Sequence, residues 1–314
     1  MLENIMKLLL NSLIILVFCG LLQGCNSDDV TGNTTREALH IAVAGTPNGL
    51  WWDSNNQVLY ISDDANNLLM RWTDSKGFID SLSLPTVDPK VGGLGQVVTL
   101  NDQQIFVTRF GYGTAGTVLQ AYPVGSSQAI QGIDPKLRRI GLTADSQGQL
   151  YDCGFVKNSD NTRTSSVNLL SVVANSSPLT AQELEVVSGT GKLVGCVVSG
   201  STMYLSDQDN NQILSVPLSQ LVTRQELKNL NVFAKISQPD LLAAANDGSL
   251  FTGGAGGIVY RISATGQVSE FSTGYRSVRG VAYDASNKRL FVIDRNTDTS
   301  AGAAAHLLHV LPVN

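Results

Sequence analysis

The strongest constraint on this 314-residue chain is an internal repeat. Gly49-Leu-Trp-Trp-Asp53 followed by Val58-Leu-Tyr-Ile-Ser62 returns as Gly141-Leu-Thr-Ala-Asp145 followed by Gln149-Leu-Tyr151. It returns again as Gly280-Val-Ala-Tyr-Asp284 followed by Arg289-Leu-Phe-Val-Ile293. Weaker copies start at Gly95, Gly195 and Leu242, and the six anchors are separated by 46, 46, 54, 47 and 38 residues. A fixed period of this length means one supersecondary unit stacked on itself, because a single unit cannot bury its own apolar face.

Within each unit, short apolar runs are separated by Asp, Asn, Gly and Ser, which are turn residues. In the first unit the pattern predicts strands near 49–53, 58–62, 68–73 and 78–84. The second strand is apolar at consecutive positions, so both its faces are expected to be covered. No segment has the length and 3.6-residue period of a long amphipathic helix; residues 223–229 read as one short helical turn. Four-stranded units of this length, repeated radially, make an all-β six-bladed β-propeller over residues 38–314. The last unit runs out of chain after three strands. The unassigned Leu39-His-Ile-Ala-Val-Ala44 has strand length, so the N-terminal strand is expected to close the ring and cover two exposed edges.

The segments Tyr60-Ile-Ser-Asp63-Asp-Ala-Asn66-Asn-Leu-Leu69 and Tyr204-Leu-Ser-Asp207-Gln-Asp-Asn210-Asn-Gln-Ile213 resemble the NHL repeat. Pro47-Asn48-Gly49-Leu50 and Pro239-Asp240-Leu-Leu242, each leading into an inner strand, resemble the gluconolactonase and strictosidine-synthase-like propellers. That resemblance implies a site where the inner strands open at the central channel, with Glu, Asn and Asp holding a divalent metal. The corresponding positions in this chain are Asn48, Leu94, Ile140, Val194, Asp240 and Arg279. Asn48 stands where the family pattern has its first Glu, and three of the six positions are aliphatic. A hard cation such as Ca²⁺ takes six to eight oxygens. Arg279 is expected to pair with Asp240 and compete with any cation for it. Asn48, Asp240 and Arg279 are therefore the candidate channel-mouth binding residues, with no metal site and no catalytic set assigned.

Other constellations are weaker. His306 and His309 differ by an odd number, so on one strand they point to opposite faces, and His40 is the only other histidine. Asp207-x-Asp209-x-Asn211 and Asp294-x-Asn296-x-Asp298 open like calcium loops but lack Gly at the sixth place and Glu at the twelfth. Turn capping by these side chains is the expected reading. Arg109, Phe110 and Tyr112 lead into the Gly-rich stretch 111–116, where they could meet a ligand.

The N-terminus carries a different signal. Met6-Lys7 precedes a mostly apolar run over 8–22, which is short of the about 20 residues a spanning helix needs. A basic start, a short apolar core and a small residue before the cut describe a secretory signal. Leu22-Gln23-Gly24-Cys25 resembles the lipobox of bacterial lipoproteins. Residues 1–25 are thus expected to be a signal peptide, with Cys25 the acylated first residue of the mature chain. Asn26, rather than Asp, resembles the outer-membrane sorting pattern of a two-membrane envelope. Residues 26–37 read as a polar tether reaching at most about 40 Å. Besides the acylated Cys25, the mature chain keeps Cys153 and Cys196, an even pair that an oxidising compartment permits to bridge.

A net charge of −5 with no clustered Lys and Arg points away from nucleic acid. Since a propeller fold does not define a function, the leading reading is a lipid-anchored envelope module that binds a small molecule or an envelope protein. The alternative is a lactonase-like or lyase-like enzyme using Asn48, Asp240 and Arg279. A mainly structural envelope protein is the third.

Overall fold

A computed structural model describes residues 39–85, 93–100, 104–121, 128–173, 176–298, 300 and 304–314. The signal 1–25 with Cys25, the tether 26–37 and Ala38 lie outside the described residues. Six sheets follow one another, each beginning with an inner strand: Pro47–Asp53, Leu94–Leu100, Arg138–Ala144, Leu193–Ser199, Leu242–Ala244 and Val278–Asp284. These define blades 1 to 6, and every anchor of the sequence repeat falls in one of them. The molecule is an all-β, six-bladed propeller with four antiparallel strands to a blade. In blade 1 the strands are Pro47–Asp53, Val58–Asp63, Leu68–Thr73 and Gly77–Ser83, close to those expected. The second strand, Val58–Asp63, is buried along its whole length, as its unbroken apolar run predicts.

The segment 223–229 differs from its expected helical turn. Gln225–Glu226 is a short strand, parallel to the outer strand Thr180–Thr190 of blade 3. Only Leu227–Asn229 forms a 3₁₀ turn. A neighbouring sheet edge offers the backbone its hydrogen bonds, and that outcompetes a local turn.

The recurring glycine has a steric reason. A Cβ on Gly49 would lie 2.1 Å from the Gly95 carbonyl of blade 2, and one on Gly95 would lie 2.3 Å from the Ile140 carbonyl of blade 3. Around the ring, the corresponding approaches are 2.7 Å from Gly141 to the Cys196 amide, 2.8 Å from Gly195 to the Asp240 carbonyl and 2.3 Å from Gly280 to the Asn48 carbonyl. Inner strands converge at the axis, and only a hydrogen fits between them. Hydroxyls on second strands then bolt neighbouring blades together. Ser62 donates to the Gly95 carbonyl at 2.9 Å, Thr108 to that of Ile140 at 2.7 Å and Ser206 to that of Asp240 at 2.6 Å.

Blade 3 has Cys153 opposite Gly141, where Ser206 lies opposite Gly195 in blade 4. Cys153 and Cys196 stand as free, buried thiols. They are neighbours in one buried cluster with Val167, Leu193 and Leu205. Burial first, then the adjacent Cys153 thiol, holds Cys196 well above its ordinary pKa and so keeps it protonated and unreactive.

The ring closes as the missing strand predicts. Leu39–Val43 pairs antiparallel with His306–Pro312, from Leu39 opposite Val310 to Val43 opposite His306. This makes it the outer strand of blade 6. Val43 is buried with Trp52, Phe291 and Leu308 in the core between blades 6 and 1. The pairing sets His40 against His309, with their Nδ1 atoms 2.6 Å apart. One of the two rings must be the donor and the other a neutral acceptor, so the contact cannot survive with both rings charged. Burial, followed by His40, pulls the His309 pKa below 6.5; Asp294 opposes this, and Arg276 adds to it. A group depressed on folding binds fewer protons folded than unfolded. Its contribution is therefore present above about pH 6.5 and lost as the pH falls below it. Thermal melts at about pH 7.5 and about pH 5 should show stability falling with acid, and His309→Phe should flatten part of that fall.

Candidate functional site

One end of the central channel opens into a cavity of about 540 Å³. Among the six positions aligned from sequence, Asn48, Ile140, Val194, Asp240 and Arg279 line it. Leu94 instead packs into the core between blades 1 and 2. The three candidate binding residues thus share one mouth, each placed by the start of an inner strand from a different blade.

Their local chemistry is already partly committed. The Asn48 amide donates to the Leu94 carbonyl. Arg279 Nη1 lies 3.2 Å from Asp240 Oδ2, the pair expected from sequence. Asp240 also accepts the Leu241 amide at 3.0 Å, and its side chain keeps 14% exposure toward the cavity. Burial raises its pKa, against the pull of Arg279. Among the described residues no three His, Cys, Asp or Glu side chains gather as a metal-ligand group. The six aligned positions do not supply the ligand set that the resemblance to gluconolactonase-like propellers implies for a divalent cation. Of the six, only Asn48 and Asp240 carry side-chain oxygens, Asp240 is held by a guanidinium, and Leu94, Ile140 and Val194 offer none.

In the calcium-like stretches Asp207 accepts the Asn210 side chain at 2.6 Å, while Asn296 and Asp298 cap the turn by accepting the Asp298 amide at 3.0 Å and the Ser300 amide at 2.9 Å. Asp209 and Asp294 instead form ion pairs with the more distant Arg163 and Arg276. His306 takes the Asn296 amide at 2.9 Å and faces the mouth, whereas His309 sits in the seam, as an odd spacing on one strand requires. Arg109 is buried and donates to Asn67, so it serves the scaffold, while Phe110 and Tyr112 line the mouth. Tyr112 is 55% exposed at φ 46°, in the left-handed region between Gly111 and Gly113.

Three further cations at the mouth escaped the motif reading: Arg138, Lys192 and Arg295. The repeat contained their signal. Arg138 and Lys192 each lie two residues before a ring position, Ile140 and Val194, and strand residues two apart share a face. Arg295 follows the Asp that ends a second strand. The same place in other blades holds Asp64 and Gln208, which also line the mouth. Burial lowers the pKa of Arg138 and Arg295, and nearby Arg279 lowers that of Arg295 further, yet a guanidinium remains charged at neutral pH. Burial, then Arg163, also lowers that of Lys192, whose Nζ lies 2.6 Å from the Gln208 side-chain oxygen.

The opposite end of the channel is different in kind. A smaller cavity of about 150 Å³ there is faced largely by apolar side chains, Leu50, Leu142, Val197 and Val281 among them. No charged side chain lines it among the described residues.

No family model matches the chain, and no curated relative matches it. Solved structures do. A gluconolactonase from Xanthomonas campestris is 15% identical, with a TM-score of 0.61 over 88% of this chain and 91% of its own. The PQQ-bound aldose sugar dehydrogenase of Streptomyces coelicolor is 14% identical, with a TM-score of 0.63 over 88% and 98%. Virginiamycin B lyase of Staphylococcus aureus is 11% identical, with a TM-score of 0.57 over 88% and 99%. At such identities the likeness is one of fold, which these enzymes of differing chemistry share. The chain is accordingly a six-bladed β-propeller with structural neighbours among the gluconolactonases and the virginiamycin B lyases.

Proposed function

We propose that the protein is a lipid-anchored cell-envelope propeller that binds a small molecule at the mouth formed by Asn48, Asp240 and Arg279. The observation that favours binding over metal-dependent chemistry is the Asp240–Arg279 pair, in which the carboxylate a cation would need is held by a guanidinium. Metal analysis and lactone assays of purified protein, with thermal melts against a small-molecule panel, test this. The expected result is substoichiometric Ca²⁺ and Zn²⁺, no lactone hydrolysis, and a ligand-induced melting shift that Arg138→Gln removes. Stoichiometric metal that disappears in Asp240→Ala overturns it.

The anchor rests on Leu22-Gln23-Gly24-Cys25 and on Asn26 after it. Two acyl signals give stable attachment where one gives marginal binding. Cys25→Ser should shift the protein from the membrane fraction to the soluble fraction; a protein that stays with the membrane rules out the lipid anchor.

A lactonase-like or lyase-like enzyme is the second reading, supported by the gluconolactonase and lyase neighbours and by Asn48 and Asp240 at the mouth. Lactone turnover abolished by Asp240→Asn would favour it.

A further inference from the structure

The mouth does not end at the channel axis. A second cavity of about 620 Å³ adjoins it on the blade 3 side and shares Tyr112, Arg138, Phe155 and Lys192 with it. Lys136, Lys157 and Arg163 line this second space, and no Asp or Glu does. In a chain of net charge −5, that is a strong local reversal of sign. Arg163 is offset from the side by Asp209 at 2.9 Å, while Lys136 and Lys157 are exposed. The mouth itself sets Arg138, Lys192, Arg279 and Arg295 against Asp64, Asp240 and Asp298.

Arg138, on the wall between the two spaces, is the telling residue. Its guanidinium lies over Tyr112 at 4.6 Å, Phe110 at 5.3 Å and Phe155 at 5.5 Å. It has no hydrogen-bond partner among the described residues, and its buried Nε is left unpaired. Arg295 lines the same mouth, where Asp64 is among the groups that favour its charge. Aromatic faces attract a guanidinium electrostatically but satisfy none of its N–H donors. A partly buried cation with open donors is costly unless something pairs with it, and an oxyanion does so with two parallel bonds. The aromatic surface beside it, Tyr112 above all, suits the carbon skeleton of an organic molecule rather than a bare ion.

Resting on the reading of the mouth as a ligand site, we propose that the ligand is an elongated organic polyanion. One acidic group would sit at the channel mouth against Arg138 and Arg295, and a second would sit in the adjoining groove against Lys136 and Lys157. Its backbone crosses the Tyr112–Phe155 surface between them. Linking two anionic groups makes the second contact intramolecular, so affinity rises well beyond that of one group.

Calorimetric titration at low salt with galacturonate, trigalacturonate and the methyl ester of trigalacturonate tests this. The acidic trimer should bind at least about tenfold more tightly than the monomer. The ester, equal in shape but uncharged, should bind at least about tenfold more weakly than the acid, and salt should weaken the acid. Arg138→Gln should abolish binding of the acidic trimer. Lys136→Gln combined with Lys157→Gln, both exposed and so harmless to the fold, should erase the advantage of trimer over monomer. No binding of the acidic trimer, an ester that binds as well as the acid, or a trimer no better than the monomer overturns the proposal. Ester or monomer binding alone would still leave the mouth a ligand site, which separates this failure from failure of the binding reading itself.

Discussion

Replacing Arg139 with Leu is expected to destabilise the propeller by about 3–5 kcal/mol, the cost of leaving one member of a buried ion pair alone. At about 2–4 °C per kcal/mol for a domain of this size, the melting temperature should drop by about 6–20 °C. Arg139 and its partner Asp152 are both fully buried, and Arg139 also meets Glu183 at 2.8 Å and the Asp134 carbonyl at 2.9 Å. Asn168 supplies the remaining bond to Asp152 at 2.8 Å. Burial already pushes the Asp152 pKa up, and Arg139, followed by the Asn168 hydrogen bond, opposes it. Without Arg139 the carboxyl is expected to take up a proton. A group whose pKa is raised on folding contributes stability at low pH that is lost as pH rises. The variant's deficit should therefore be smaller at about pH 5 than at about pH 8, and chemical denaturation at both values checks it. The exposed Arg71–Asp80 pair, with side-chain exposures of 21% and 50%, is the control. Arg71→Ala should cost no more than about 1 kcal/mol, because water already screens that pair.

Deleting residues 38–45 is expected to destabilise the whole ring rather than one blade. Burial of Val43 alone contributes about 1.5–3 kcal/mol. Each of the ladder hydrogen bonds to His306–Pro312 adds about 0.5–1.5 kcal/mol. The deletion also bares His306–Pro312 as an edge, which invites pairing between molecules. A lowered melting temperature with new oligomers on gel filtration is the expected outcome. A monomeric variant melting like the parent would remove ring closure as a source of stability.

Much of this architecture was legible because propeller blades repeat. The anchor at Gly49 returns at Gly95, Gly141, Gly195 and Gly280, since the same steric conflict with the next inner strand recurs around the axis. A missing fourth strand in the last unit pointed to Leu39–Val43 because an open ring leaves two unpaired edges. The Asp240–Arg279 pair was legible for a similar reason: alignment by unit places both at the same height, in adjacent blades. What misled was local reading. Residues 223–229 have helical character alone, but the edge of blade 3 was there to take their backbone.

The sequence by itself determined the number of blades, the register that brings Asn48, Asp240 and Arg279 to one mouth, and the means of closing the ring. These are consequences of a period, which survives in one dimension. Only the tertiary structure decided that Cys153 and Cys196 lie side by side as free thiols, that Arg139 is sealed against Asp152, and that His40 meets His309. It alone placed Arg138 over three aromatic rings with its donors open. Those features depend on distances between side chains from different strands and blades, and on how much water reaches them. Neither quantity is encoded in spacing along the chain.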